Sequence, residues 1–180
     1  MATPPDFTSG QILTAAQMSA VGLWLVKTQT IGTTVSSVAV TSAFSADYDN
    51  YLILISGGVA STDLGLSMTL GSTATGYYSS GFNQSLTSAT INATNTNNGS
   101  SFVSVAYGST NALSGQIQLD NPFATKRTTV SYQARGSSTT YFVNQQHGFL
   151  NDATSYTGFT LTTSTGTVTG GTIKVYGYRN

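Results

Sequence analysis

The residues that could carry acid–base, nucleophilic or metal chemistry are few in this chain. Its 180 residues include six aspartates, one histidine, no glutamate and no cysteine, and the carboxylates are scattered from Asp6 to Asp152. Acid–base and metal catalysis need such groups to converge on one place. We therefore expect a protein that is not an enzyme and that uses no metal or other cofactor.

Asp47 and Asp49 are the closest pair of carboxylates in the sequence. Two aspartates at this spacing can supply oxygen ligands to Ca²⁺, but an EF-hand loop also needs a glycine at its sixth position and a bidentate glutamate at its twelfth. The chain has neither residue there. We interpret the pair as Asx turns that lead into the next strand.

His147 is the only histidine. A zinc site needs several ligands brought together by the fold, and the Gly-x-Ser-x-Gly turn of a serine hydrolase does not occur in the sequence. A glycosidase needs two neighbouring carboxyl groups, and nothing in the sequence pairs Asp63 with Asp120. We predict neither catalytic residues nor metal ligands.

Two clusters of aromatic and amide residues suggest binding instead of catalysis. The first comprises Tyr77, Tyr78, Phe82, Asn83 and Gln84, and the second comprises Tyr141, Asn144, Gln145, Gln146 and His147. A sugar ring has an apolar face and a polar rim, so an aromatic ring beside amide groups suits it. We predict glycan binding at these clusters, with core packing or subunit contact of the aromatic rings as the alternative.

The elements that must position these residues are strands. The chain contains 31 threonines and 24 serines, and from Leu23 onward apolar and polar residues alternate with a period of two. Roughly ten such runs, separated by Gly, Asn and Ser turns, predict an all-β fold, a β-sandwich or jelly roll of antiparallel strands. Within it we expect an exposed loop over 83–100 and a closing hairpin that pairs 159–161 with 173–178.

The first 22 residues differ from the rest. Thr14 and Gln17 have the spacing of a capping box, which predicts a short helix that ends at Gly22. We divide the chain into an N-terminal arm with this helix, 1–22, and a β-sandwich domain, 23–180. The apolar residues expected to serve docking or oligomerisation, or else to pack on their own domain, are Phe7, Ile12, Leu13, Met18, Val21 and Trp24.

The net charge and the hydropathy of the chain indicate which kinds of partner and which cellular location to expect. Six Lys and Arg residues balance six aspartates, so no basic surface for nucleic acid or an anionic membrane is expected. A surface of zero net charge is weakly protected against self-association. We therefore expect the protein to be part of an assembly. The sequence has no signal-peptide pattern and no apolar run of about 20 residues, so we expect accumulation in the cytoplasm of the producing cell.

Four short motifs resemble small tail-fibre and minor tail proteins of tailed bacteriophages. They are Phe7-Thr-Ser-Gly-Gln-Ile-Leu-Thr-Ala-Ala-Gln-Met18, Val21-Gly-Leu-Trp-Leu-Val-Lys27, Phe44-Ser-Ala-Asp-Tyr-Asp-Asn-Tyr51 and Gly170-Gly-Thr-Ile-Lys-Val-Tyr-Gly-Tyr-Arg179. The resemblance covers residues 7–70 and 157–180 and leaves 71–156 unmatched. It carries over no catalytic residue.

The resemblance implies a structural protein of the virion tail that is assembled in the host cytoplasm. It implies a homotrimer whose residues 7–22 dock on other tail or baseplate proteins and whose sandwich binds host surface polysaccharide. Two alternatives stay open: a capsid decoration or cement protein that stabilises the head, and a polysaccharide-degrading tailspike. The second would need clustered carboxylates in a groove.

Overall fold

The computed structural model describes Gly10, Ile12, residues 22–137 and residues 141–179. Within these residues the chain forms twelve β-strands and no helix, and all the strand pairs are antiparallel. The strands are β1 (Leu23–Thr30), β2 (Ser37–Val40), β3 (Tyr48–Ala60), β4 (Leu64–Leu70), β5 (Tyr77–Ser85), β6 (Ile91–Gly99), β7 (Phe102–Gly108), β8 (Leu113–Asp120), β9 (Thr128–Ser137), β10 (Tyr141–Leu150), β11 (Phe159–Thr163) and β12 (Val168–Arg179). The predicted all-β class is confirmed, with two strands more than expected.

Alternating burial explains why these runs form strands. In β4 the side chains of Leu64, Leu66, Met68 and Leu70 are buried, while the residues between them are half-buried. In β8 the buried Ile117 lies between the exposed Gln116 and Gln118. Successive side chains of a strand point to opposite faces, so each run places one apolar row against the core and one polar row outside.

The strands fall into two groups that meet at β7 and β8. Eight strands pair in the order β1-β12-β3-β8-β9-β10-β5-β6, and four pair in the order β2-β11-β4-β7. The groups join where the end of β7 pairs with the start of β8, through Tyr107 with Ser114 and Gly108 with Leu113. The connection makes one continuous network of twelve strands.

Aromatic contacts link the two groups through the core. The Phe44 ring packs edge-on against Tyr51 of β3, with 4.8 Å between ring centroids, and stacks on Phe159 of β11 at 5.8 Å. Tyr77 of β5 meets Phe102 of β7 at 4.8 Å, with perpendicular rings. Such edge-to-face pairs stabilise beyond the apolar area they bury.

The polar segment that follows β5 is a strand and not the loop that we expected. Of residues 83–100, which we expected in an exposed loop, 83–85 complete β5 and 91–99 form the strand β6, which pairs with β5 at the edge of the larger group. Its composition is that of a polar edge strand, because exposed edges in natural sheets avoid apolar residues. The helix predicted from Thr14 to Gly22 lies outside the described residues.

The predicted closing hairpin is wrong. Strand β11 pairs with β2 and β4 in the smaller group, whereas β12 pairs with β1 and β3 in the larger one. The intervening turn therefore carries the chain from one group to the other. Two adjacent strands with a turn between them look like a hairpin in sequence, but their apolar rows are buried against different neighbours.

Two buried tyrosine hydroxyls are held inside the core. Tyr77 Oη accepts a hydrogen bond from the Leu70 amide at 2.8 Å and donates to the Thr73 carbonyl at 3.1 Å. Tyr132 Oη lies 3.0 Å from the Val103 carbonyl oxygen and 2.9 Å from Gln146 Oε1. Burial raises the pKa of each tyrosine to about 12.

These tyrosines predict a loss of stability at alkaline pH. An unfolded tyrosine ionises near pH 10, so between about pH 10 and 12 the folded chain keeps protons that the unfolded chain loses. The free energy of unfolding should therefore be maintained below pH 10 and fall above it. Urea titrations from pH 8 to pH 11.5 measure the slope, which Tyr132→Phe should reduce and the exposed-site control Tyr178→Phe should not. An unchanged slope in Tyr132→Phe would contradict the prediction.

Candidate functional site

The pairing of β5 with β10 brings the two predicted glycan clusters together. Phe82 lies opposite Gln145, and Ser80 lies opposite His147. The register also sets Tyr78 opposite Phe149. Residues more than 60 positions apart in sequence therefore share one surface, which we call the outer face because it is turned away from the core.

Four of the ten predicted cluster residues point the other way. The side chains of Tyr77, Asn144 and Gln146 are buried, since they alternate with the outer-face residues along β5 and β10. Asn83, opposite Asn144, is half-buried and its Oδ1 atom has no hydrogen-bond partner. The prediction that these four residues contact a glycan needs correction, because they face the interior.

The buried amides instead form a hydrogen-bonded network. Gln146 Oε1 accepts from Ser79 Oγ at 3.1 Å, and Gln146 Nε2 donates to Asn144 Oδ1 at 3.1 Å. Asn144 Nδ2 donates to the Ser104 carbonyl oxygen at 2.9 Å. Buried amides without partners would cost stability, so this network stabilises the contact between β10 and β7.

A pair of stacked rings lies on the outer face. The Tyr78 and Phe149 centroids are 5.1 Å apart and the ring planes differ by 14°. The guanidinium carbon of Arg127 lies 5.3 Å from the Phe149 centroid, a cation–π distance. The arrangement holds Phe149 between a neighbouring ring and a cation, which restricts the orientation of both rings.

The rings line an open depression of about 600 Å³. We call it the aromatic depression, and its principal side chains are Tyr78, Ser80, Asn95, Asn97, His147 and Phe149. Hydroxyl, amide and imidazole groups thus surround an apolar platform. Such a surface can stack on an apolar ring face while its polar groups exchange hydrogen bonds with hydroxyls.

The sequence alone did not single out several of these residues. Phe149, Asn95, Asn97 and Arg127 were missed, because β6 was expected to be a loop and the β5–β10 register was unknown. The alternation of Gln145, His147 and Phe149 was the available signal for a shared face.

Of the remaining predicted residues, Phe82, Gln84 and Gln145 are half-buried on β5 and β10 beside the depression, and Tyr141 begins β10 with a side chain outside the described part.

Glycines on both strands, Gly81 of β5 and Gly148 of β10, allow β5 and β10 to lie close together, and Gly148 is the one beside the stacked rings. A Cβ atom on Gly148 would lie 2.1 Å from the Tyr78 carbonyl oxygen and 2.8 Å from Ser79 Cα. Both obstacles are backbone atoms, so the strands themselves would have to move apart. Gly148 stands between His147 and Phe149, and its small size therefore positions both.

Two of the six predicted docking residues, Ile12 and Trp24, are among the residues that the structure describes. Trp24 of β1 is 38% exposed and Ile12 is 87% exposed. Leu23, Leu25 and Tyr178 are also exposed, and Leu23 lies opposite Tyr178 in the pairing of β1 with β12. We call Leu23, Trp24, Leu25 and Tyr178 the β1 patch. Phe7, Leu13, Met18 and Val21 lie outside the described residues.

The acidic side chains of the described residues are engaged in local turns or lie apart from one another. Asp47 Oδ2 accepts from Ser45 Oγ at 3.0 Å in the turn that precedes β3. No group of three or more His, Cys, Asp or Glu side chains lies within metal-binding reach of one another in the part of the chain that the structure describes. No helix among the described residues is long and apolar enough to cross a membrane.

Comparison with known proteins gives no relative. No protein-family model, no curated protein and no solved structure matches the chain.

Replacing Gly148 tests whether close strand packing builds the aromatic depression. Gly148→Ala should lower the free energy of unfolding by about 1–3 kcal/mol, because overpacking forces the backbones of β5 and β10 apart. Gly65→Ala is the matched control, since its added carbon first meets the movable Ser104 hydroxyl and should cost less. Denaturant unfolding measures both, and equal losses would argue against a special constraint at Gly148.

Proposed function

We propose that this chain is a structural protein of a bacteriophage virion, a tail-fibre or tail-tip protein. Its two strand groups act as the layers of a β-sandwich, its N-terminal segment docks on other virion proteins, and its outer face binds host cell-surface glycan. The observation that supports glycan binding most directly is the stacked Tyr78–Phe149 pair, set among hydroxyl and amide groups in an open depression.

The chemistry of the aromatic depression suits a sugar better than other ligands. Its rings are half-buried and lie in a fixed stack, so little side-chain entropy is lost when a ligand packs on them. Asn95, Asn97 and Ser80 supply both donors and acceptors around the platform. A hydroxyl-bearing ring can satisfy these groups and cover the apolar surface at once.

The β1 patch supports docking near the N-terminus. Among the described strands, β1 pairs only with β12 and so lies at an edge. Three successive apolar residues of β1, Leu23 to Leu25, are exposed. Contiguous exposed apolar side chains mark interaction surfaces. We propose that other virion proteins or the other chains of a homotrimer cover this patch.

The β1 patch would also suit a capsid decoration protein. An apolar edge beside an N-terminal arm can attach to a capsid as readily as to a tail. Immunogold labelling of intact particles separates the two functions. Label at the tail tip or fibres supports the proposal, label over the head supports a decoration protein, and unlabelled particles would contradict both.

If the aromatic depression binds glycan, removing one of its rings should weaken the binding of polysaccharide. Tyr78→Ala should weaken binding to an array of purified bacterial surface polysaccharides by about tenfold, because a lost aromatic contact of about 0.5–1.5 kcal/mol together with the lost apolar burial corresponds to roughly that factor. The control is Val59→Ala, which removes an exposed apolar side chain of β3 that lies outside both the aromatic depression and the β1 patch. Unchanged binding of Tyr78→Ala to a polysaccharide that the unaltered protein binds would contradict the proposed role of the aromatic depression.

A further inference from the structure

Two smaller depressions continue the aromatic depression across the outer face. One, of about 190 Å³, extends from β3 to β9, and the next, of about 140 Å³, spans β8 to β10. These two share Gln116 and Gln133, and the second shares His147 with the aromatic depression. The shared lining residues show that the three depressions adjoin one another across the strands, and we call the three together the groove.

The register of the strands arranges the groove in three rows. The middle row consists of Gln118, Ser131, His147, Ser80 and Asn95, one residue from each of β8, β9, β10, β5 and β6. The row on one side consists of Gln116, Gln133, Gln145 and Phe82. The row on the other side consists of Asp120, Thr129, Phe149 and Tyr78.

From these rows we infer that the groove binds an extended polysaccharide chain laid across β8, β9, β10, β5 and β6, with several consecutive sugar residues in contact. This inference rests on the proposed glycan-binding function and names the form of its ligand. Neighbouring strands are about 4.8 Å apart, so the middle row is about 19 Å long. That length exceeds a single sugar ring.

The side chains along the groove fit a chain of hydroxyl groups. Glutamines at 116, 133 and 145 repeat an amide donor and an amide acceptor at each strand spacing. The aromatic pair lies at one end of this row system and gives one sugar ring an apolar platform. A repeating ligand meets a repeating set of polar groups.

A peptide fits this groove less well. Peptides commonly bind sheets by adding a strand at an exposed edge, where backbone groups are unpaired. The backbones of β8, β9, β10 and β5 are paired on both sides. Recognition at the groove must therefore come from side chains. Most of these are amides, hydroxyls and aromatic rings, and Asp120, Arg135 and His147 are the ionisable members.

The test uses fragments of a polysaccharide that the protein binds on the array. Partial hydrolysis and size fractionation give a series from single sugars to chains longer than the groove, and calorimetry measures the affinity of each. We expect affinity to rise at least about tenfold from disaccharide to the groove-filling length and then to level off. Equal affinity for a disaccharide and a long fragment would overturn the inference while leaving glycan binding itself intact.

Variants at the end distant from the rings sharpen the test. The double variant Gln116→Ala/Gln133→Ala should lower the affinity for long fragments about tenfold and leave that for disaccharide unchanged, because two amides are lost only where a long chain reaches them. Gln29→Ala on β1 is the control for loss of a surface glutamine, and thermal unfolding verifies that all variants fold. If the double variant binds long fragments as tightly as the unaltered protein, the groove does not hold an extended chain.

Discussion

The antiparallel pairing of β5 with β10 is the contact on which the candidate site depends. It joins segments that are distant in sequence and sets Tyr78 against Phe149 and Ser80 against His147. The approach is close because Gly148 leaves room for the Tyr78 carbonyl. On the inner side of the same two strands, Ser79, Asn144 and Gln146 hydrogen-bond to one another and to β7. One pairing therefore builds the outer face and anchors it to the core.

The unusual composition has a structural explanation in the alternation of strand faces. The inner rows carry a compact apolar core, for example Leu64, Leu66, Met68 and Leu70 of β4. The outer rows carry serine, threonine, asparagine and glutamine, which hydrate well without adding charge. A chain with 7% charged residues can thus present a broad polar surface. Such a surface is suited to hydrogen bonding with neutral, hydroxyl-rich partners.

Sequence patterns predicted most strands but did not predict which strands pair with one another. β4 is the clearest success, since strict alternation from Leu64 to Leu70 marks both its ends. β6 was missed because its polar residues, Asn92 to Asn98, have the composition of a loop; pairing with β5 makes them an edge strand. The hairpin between β11 and β12 was wrong because local turn chemistry does not determine which strand becomes a neighbour.

The features of the candidate site also fall into those that the sequence determined and those that the tertiary structure decided. The sequence by itself determined the residue types available for binding, the scarcity of groups for catalysis, and the period-two pattern that makes the chain all-β. Only the tertiary structure decided that Tyr77, Asn144 and Gln146 are interior, that Tyr78 stacks on Phe149, and that glutamines of three strands lie in one row. The physical reason is that strand faces follow from local alternation, whereas register and neighbours follow from how distant apolar rows pack together in the core.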